Sequence, residues 1–499
     1  MNFCRFWQRR SGKGSFDREL LGIDLFSQLS YMSAVATAGV LRSQVFEYAS
    51  RLPYVSSRYL RDIHLLSQKL NYDYAEACRM VGEAAEEEEV RNLFLRLSGS
   101  LSSGEPERDF LAREAQAMGE TYGNEYERRL ESLKKWTDGY VALIVSAALI
   151  IIVAVISMMI YQVGTTFILG VAGLMILITL AGSWLIYRTA PKEKKTHSLP
   201  QRSREQRLAR NLFKICLPLA VVGCPLLALL KVNIGWILAL GGILLLPVGL
   251  VSLRDDRRID RRDGDIAAFL RTLGGVTGAI GTTITEALGR MDLRATGSLA
   301  PEVNRLRVRL SSGIKPELCW QRFVAETGSE QVDRTVRVFW DGISLGGEPE
   351  QVGNRASLYA MKIALLRAKR RLVSSTFGWL SIPMHGAIGG LLVFIVEVMG
   401  IFGRTVQGMM PTGSPGAFSG LPATRLFTFH LEDLQLLNWL VILVLVVLTG
   451  ANAFAAKAAD GGHPYKLFYY LSIMLAISGG CLIFIPRLAT MIFTTVPAM

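Results

Sequence analysis

Several apolar stretches of about 20 residues in this chain carry at most one charge each, and that is the length a helix needs to cross the hydrocarbon of a bilayer. They fall at 140–161, 165–187, 212–230, 234–253, 378–402, 437–456 and 467–492. A backbone inside lipid must satisfy its own polar groups, so only helices or closed barrels are open to such segments. The intervening regions are densely charged and their apolar residues recur at helical spacing. These include Leu25, Leu29, Met32, Ala36 and Val40, and later Val90, Leu93, Phe94, Leu97 and Leu101. The pattern predicts an all-α polytopic membrane protein with about seven transmembrane helices.

Charge placement sets the expected topology. The formal net charge is +13, and most Lys and Arg flank the apolar segments, which suits anionic headgroups and argues against nucleic acid as a partner. The polar linker at 188–210 holds Arg188, Lys192, Lys194, Lys195, Arg202, Arg204, Arg207 and Arg210, whereas the turns at 162–164 and 231–233 hold only Lys231. The positive-inside rule therefore puts the linker and the N-terminus in the cytoplasm, and seven spans put the C-terminus outside. Arg5, Arg9, Arg10 and Lys13 are not followed by an apolar run, so the first residues do not read as a signal peptide. Cys4, Cys78, Cys216, Cys224, Cys319 and Cys481 form no C-x-x-C pair, so neither a metal site nor a disulfide framework is expected.

The charged region is duplicated. Gly104-Glu105-Pro106-Glu107 recurs as Gly347-Glu348-Pro349-Glu350, and Arg91 and Trp136 recur at the same 243-residue spacing as Arg334 and Trp379. Each copy reads as a cytoplasmic antiparallel bundle of about six helices that feeds into membrane spans. The expected division is a tail over 1–19, a first helical domain over 20–137 and a hairpin of spans over 138–187. A basic linker over 188–211, a second hairpin over 212–253 and a second helical domain over 254–377 follow. Three spans over 378–499 complete the chain, with an outer loop at 403–436 rich in Gly and Pro.

No constellation suited to catalysis, cofactor binding or metal binding stands out. The Gly-Glu-Pro-Glu tetrads suit a helix–turn–helix corner, with Gly closing one helix and Pro and Glu opening the next. As exposed acidic corners, Glu105, Glu107, Glu348 and Glu350 are also candidates for docking a cytoplasmic protein. Glu87 and Glu88, from the run 86–89, join them as an electrostatic strip. Lys134, Lys135 and Trp136, and Lys369, Arg370, Arg371 and Trp379, stand at membrane entry and are expected to anchor to lipid headgroups. The run 11–15 lacks phosphate-loop spacing, and Gly274, Gly275, Gly278 and Gly281 suit close helix packing better than a dinucleotide fingerprint. Asp263-Gly264-Asp265 follows Arg262 rather than the Gly of a pilin-peptidase motif. Glu397 and His385 are ionisable residues within a span, where an interhelical hydrogen bond is the expected use.

Two helical units, each with an Asp-containing opening (Asp24-Leu25-Phe26, and 265–269), a glycine corner and a basic exit into a span, resemble type II secretion F domains. Two such units in one chain are similar to the archaeal platform proteins of archaella and type IV pili. The resemblance implies a membrane scaffold without enzymatic activity. It implies binding to a cytoplasmic hexameric secretion ATPase, handling of pilin or archaellin subunits, and a homodimer. The rival expectation is a transporter or channel with regulatory cytoplasmic domains. Against it, the duplicated element is the charged domain rather than the spans.

Overall fold

The computed structural model describes residues 15–160, 165–197, 199, 201–409 and 431–494. The tail over 1–14, the turn at 162–164 and most of the outer loop lie outside the described residues. Sixteen α-helices account for most of the rest, and the described residues contain no strand. We number them α1 (Ser15–Val35), α2 (Arg42–Ser50), α3 (Ser57–Leu70), α4 (Tyr74–Ala84), α5 (Glu88–Ser103), α6 (Glu107–Ile160), α7 (Thr165–Thr189) and α8 (Arg204–Leu229). There follow α9 (Ile234–Ile280), α10 (Ile284–Arg290), α11 (Ala300–Ser311), α12 (Pro316–Thr327), α13 (Glu330–Ser344), α14 (Pro349–Met409), α15 (Leu431–Asp460) and α16 (Leu467–Thr494). Seven of them, α6 to α9 and α14 to α16, contain a stretch long and apolar enough to span a membrane.

The duplication is visible helix by helix. Helices α2 to α6 start at residues 42, 57, 74, 88 and 107, and α10 to α14 at 284, 300, 316, 330 and 349, a constant shift of 242 or 243. Local devices repeat as well. The Asp24 carboxylate accepts the Val55 amide at 2.8 Å just before α3, and Asp265 accepts the Ser298 amide at 2.7 Å just before α11. Each aspartate thereby satisfies an amide that the following helix leaves open. The tetrads differ in detail. Gly104 takes a left-handed φ of 76° after α5, but after α13 that role passes to Gly346 (φ 99°) and Gly347 is buried.

The chain forms two compact units. The first gathers Met1–Arg128, Pro191–Arg204 and Asp255–Lys369, so both charged copies share it. Within it α1 packs on α13. Arg334 of the second copy lies 2.7 Å from Asp24 of the first and donates to Ser27 Oγ at 3.0 Å. Ser27 is 2.6 Å from the Tyr359 hydroxyl, and Tyr31 donates to Asp341 at 3.0 Å. Phe26 meets Tyr359 with ring centroids 4.9 Å apart. Gly347 belongs to this seam, since a Cβ there would sit 2.7 Å from Thr37 Oγ1. Close helix packing accounts for Gly274, where a Cβ would strike the Pro349 carbonyl, whereas Gly275 faces open space.

The second unit comprises Arg129–Ala190, Glu205–Arg254 and Arg370–Met499. Its helices approach through small residues, as lipid-embedded packing favours. Gly235, Gly242 and Gly249 recur every seven residues on α9. A Cβ on them would lie 3.1 Å from the Gly479 carbonyl, 2.7 Å from the Ser472 carbonyl and 2.5 Å from Tyr469 Cα, all on α16. Burial is uneven. In α15 the apolar window is 56% buried, but in α8 only 11%.

Candidate functional site

The acidic corners are built differently in the two copies. Glu105 is half-buried, pairs with Arg113 and accepts from Ser100 Oγ at 2.9 Å. Arg113, then Ser100, hold its carboxyl below the usual range. Glu107 pairs with Arg42. Glu348 and Glu350 are exposed, with Gln351 donating to Glu348 at 2.5 Å. Glu87 accepts the Tyr59 hydroxyl at 2.5 Å and lies 3.4 Å from Arg58, while Glu88 is exposed. The sequence-predicted acids are therefore split: Glu105, Glu107 and Glu87 are engaged in holding helices together, and Glu88, Glu348 and Glu350 present outward.

The membrane-entry residues divide in the same way. Lys134, Lys135, Trp136, Arg371 and Trp379 are exposed, and Lys369 reaches Glu127 at 2.6 Å. Arg370 is buried and donates to the Ala459 and Ala458 carbonyls at 3.1 and 3.2 Å. It caps the carbonyl end of α15. Its guanidinium faces protein rather than a headgroup.

The linker between α7 and α8 crosses the first unit as a docked strap. Lys195 lies 2.8 Å from Asp256 and 2.5 Å from Asp260, with its side chain only 10% exposed. Its carbonyl accepts the Glu330 amide at 3.0 Å, and Thr196 bridges to Ser329. Glu193 contacts the buried Arg367 at 3.0 Å, and Arg367 turns its other edge to Asp263 at 2.5 Å and Gln331 at 3.1 Å. Burial lifts the Asp263 carboxyl to about 6 against the pull of Arg367. Burial also opposes charge on Arg367, yet Glu193 and Asp263 hold its guanidinium above its ordinary value, so the arginine is the half that stays charged. His197 is buried, with Nε2 3.4 Å from the Ala325 carbonyl and Nδ1 accepting the Leu199 amide at 3.2 Å. That pattern needs a neutral ring, and burial lowers the His197 pKa accordingly. In the sequence the run stands out only as a basic linker on the cytoplasmic side, because the acidic partners of Lys195 sit more than 60 residues further along the chain.

The second copy also opens a groove of about 610 Å³, lined among others by Leu318, Trp320, Arg322, Arg337 and Trp340. The equivalent surface of the first copy is closed. Gly82 lets α4 approach α5 so nearly that a Cβ would lie 3.3 Å from the Arg91 carbonyl, and Val90, Phe94 and Leu97 are buried there. Ala325, Asp333, Arg337 and Trp340 take those places 243 residues on. The tetrads and charge runs gave no sign of this difference.

Within the spans, His385 is fully buried and lies 2.8 Å from Ser478 Oγ and 3.2 Å from Asn452 Nδ2. Thr449 joins Ser478 at 2.8 Å, and Tyr140 donates to Asn452 at 2.7 Å. The cluster links α6, α14, α15 and α16. Glu397 instead meets Arg404 on its own helix at 3.6 Å. Burial raises the pKa of the Cys78 and Cys319 thiols, a poor state for nucleophilic attack. Among the described residues, no group of three or more His, Cys, Asp or Glu is placed to hold a metal.

These features define a multi-pass helical membrane protein with a duplicated charged unit. The chain is similar to the Flagella accessory protein J of Methanocaldococcus jannaschii, with 23% identity over 432 residues, covering 83% of this chain and 74% of that protein. It is equally similar to the Flagella accessory protein J of Methanococcus voltae, with 23% identity over 432 residues, 84% of this chain and 76% of that protein. No family model matches the chain. No solved structure matches it either.

Proposed function

We propose that this protein is a membrane-embedded assembly platform for an archaeal filament, serving an archaellum or a related type IV filament. The observation that carries the reading is the similarity to Flagella accessory protein J along most of both chains. The duplicated charged unit is the cytoplasmic part, the N-terminus lies inside and the C-terminus outside. The protein has no catalytic role of its own. It binds a cytoplasmic hexameric secretion ATPase, works as a homodimer, and passes the ATPase's motion through the spans to pilin or archaellin subunits. The continuous helices α6, α9 and α14 support this, since each carries both a charged stretch and an apolar, span-length stretch.

The test is binding of the purified cognate secretion ATPase to the protein in nanodiscs. Wild type should bind, and Glu88→Lys, Glu348→Lys and Glu350→Lys together should weaken binding on the order of tenfold, as rim charges do. These three acids are exposed, so insertion should be unaffected. Loss in the variant assigns the corners to the contact; equal binding removes them from it. No binding by wild type, together with ion or proton flux in reconstituted vesicles, would instead favour a transporter.

A further inference from the structure

The groove of about 610 Å³ on the second copy is walled by residues that changed in kind as well as in size. Arg309, Trp320, Arg337 and Trp340 line it, and they stand 243 residues after Leu66, Ala77, Phe94 and Leu97, which are apolar and buried. One copy packs helix on helix; the other holds guanidinium and indole groups around a space the size of a binding cleft. The unmet hydrogen bonds at this wall are all donors. Trp320 is 2% exposed and its Nε1–H has no partner among the described residues, and the same holds for the buried Nη1 of Arg309. Buried donors left unpaired are costly, so each calls for an acceptor. Two of the lining carboxylates are already engaged. Asp333 accepts from Arg337 at 3.1 Å and Asp341 from Tyr31 at 3.0 Å, while Glu317 is exposed in the first turn of α12. Arg322 adds an exposed guanidinium, bonded to Gln201 at 2.6 Å.

We propose that this groove binds an acidic peptide segment of another protein, one in which a carboxylate sits beside an apolar or aromatic side chain. The apolar side chain fills the space between Leu318 and Trp340, and the carboxylate meets the guanidinium groups of Arg309 and Arg322. A peptide fits better than a small molecule, because Ile314 and Leu318 also line the groove and are 45% and 55% exposed. A ligand confined to the groove would leave them wet, whereas a chain running over them would cover them. The groove asks for the opposite charge to a partner of Glu88, Glu348 and Glu350. It does not rest on the platform reading and stands whether or not an ATPase binds.

A random peptide library panned against the full chain in nanodiscs tests it, with the selected peptides then measured by fluorescence polarisation. They should be rich in Asp or Glu next to Trp, Phe or Leu. Arg322→Glu and Leu318→Arg alter exposed side chains and should each weaken the best binder on the order of tenfold, with Tm unchanged. Arg322→Lys should keep most of the affinity. Trp320→Phe keeps a ring against Phe323 and Phe339 but removes the N–H, and should also weaken binding. Arg79→Glu, the same reversal at the exposed counterpart in the first copy, should leave binding unchanged. A library that yields no binders, or only basic or uncharged ones, overturns the proposal. Equal losses from Arg322→Glu and Arg79→Glu overturn it too, since they would reflect overall charge. So does calorimetric binding of indole-3-acetate without any peptide binder, which would make the groove a small-molecule site. Self-association that Arg322→Glu abolishes would put a second copy of the chain there, and that also overturns it.

Discussion

At the scale of residues, Arg334 shows how much one side chain can hold. It spans Asp24, Ser27 and Glu330 and lies over the Tyr54 ring at 4.6 Å, almost fully buried. Removing one member of a buried pair leaves the other uncompensated, at a cost of about 3–5 kcal/mol. Arg334→Met should lower the unfolding free energy of the detergent-solubilised protein by that amount, measured by urea titration. Arg91→Met should cost less than about 1 kcal/mol, because Arg91 is exposed and its recorded bond is a local one to the Ala85 carbonyl. The strap adds a pH dependence with two opposed signs. His197 has a lowered pKa when docked, so its contribution is present above about 6.5 and is lost as pH falls. Asp263 has a raised pKa, about 6 against 3.8, so protonation in that window strengthens the core behind the strap. Between pH 7 and 5, strap amides should exchange faster, after correction for intrinsic rates, while α9 and α14 do not. His197→Gln should flatten the strap's response.

At the scale of elements, the two copies act as controls for each other. Gly274 and Gly275 are neighbours on α9, yet one touches the Pro349 carbonyl and the other faces open space. Gly274→Ala should destabilise by about 1–3 kcal/mol through overpacking of α9 on α14. Gly275→Ala should stabilise by about 0.5–1 kcal/mol, since alanine suits a helix interior. The ordering of their Tm values checks both. Helix boundaries and repeat register were legible from apolar spacing and from the recurrence of Gly104, Arg91 and Trp136, because these depend on local sequence. Arg370 was misplaced for a physical reason: a basic run before a span looks the same whether it faces headgroups or the open carbonyls of a helix from a distant segment. The Lys195 cluster hid likewise, its acids belonging to a run that reads as solvated. Of the candidate acids, burial separated Glu105 and Glu107 from Glu348 and Glu350, and identical tetrads cannot reveal that.

At the scale of the whole molecule, the two charged copies share one compact unit. Their seam runs through charged and hydroxyl groups that each copy supplies to the other, with Phe26 and Tyr359 packed beside them. Global opening measured by hydrogen exchange should therefore give one free energy for α4 and α5 and for α12 and α13. Arg334→Met should lower it equally in both copies. Two separate values would mean that the seam is weaker than its contacts imply.

The seam also governs how the halves can drift apart over evolutionary time. A duplicated segment ordinarily leaves each copy free to accumulate changes under its own constraints. Here Asp24 and Arg334 are bound by mutual charge, whereas their counterparts Asp265 and Arg91 each have local bonds instead. Substitutions at the first two positions should appear as matched pairs among descendants of this gene, and those at the second two should appear singly.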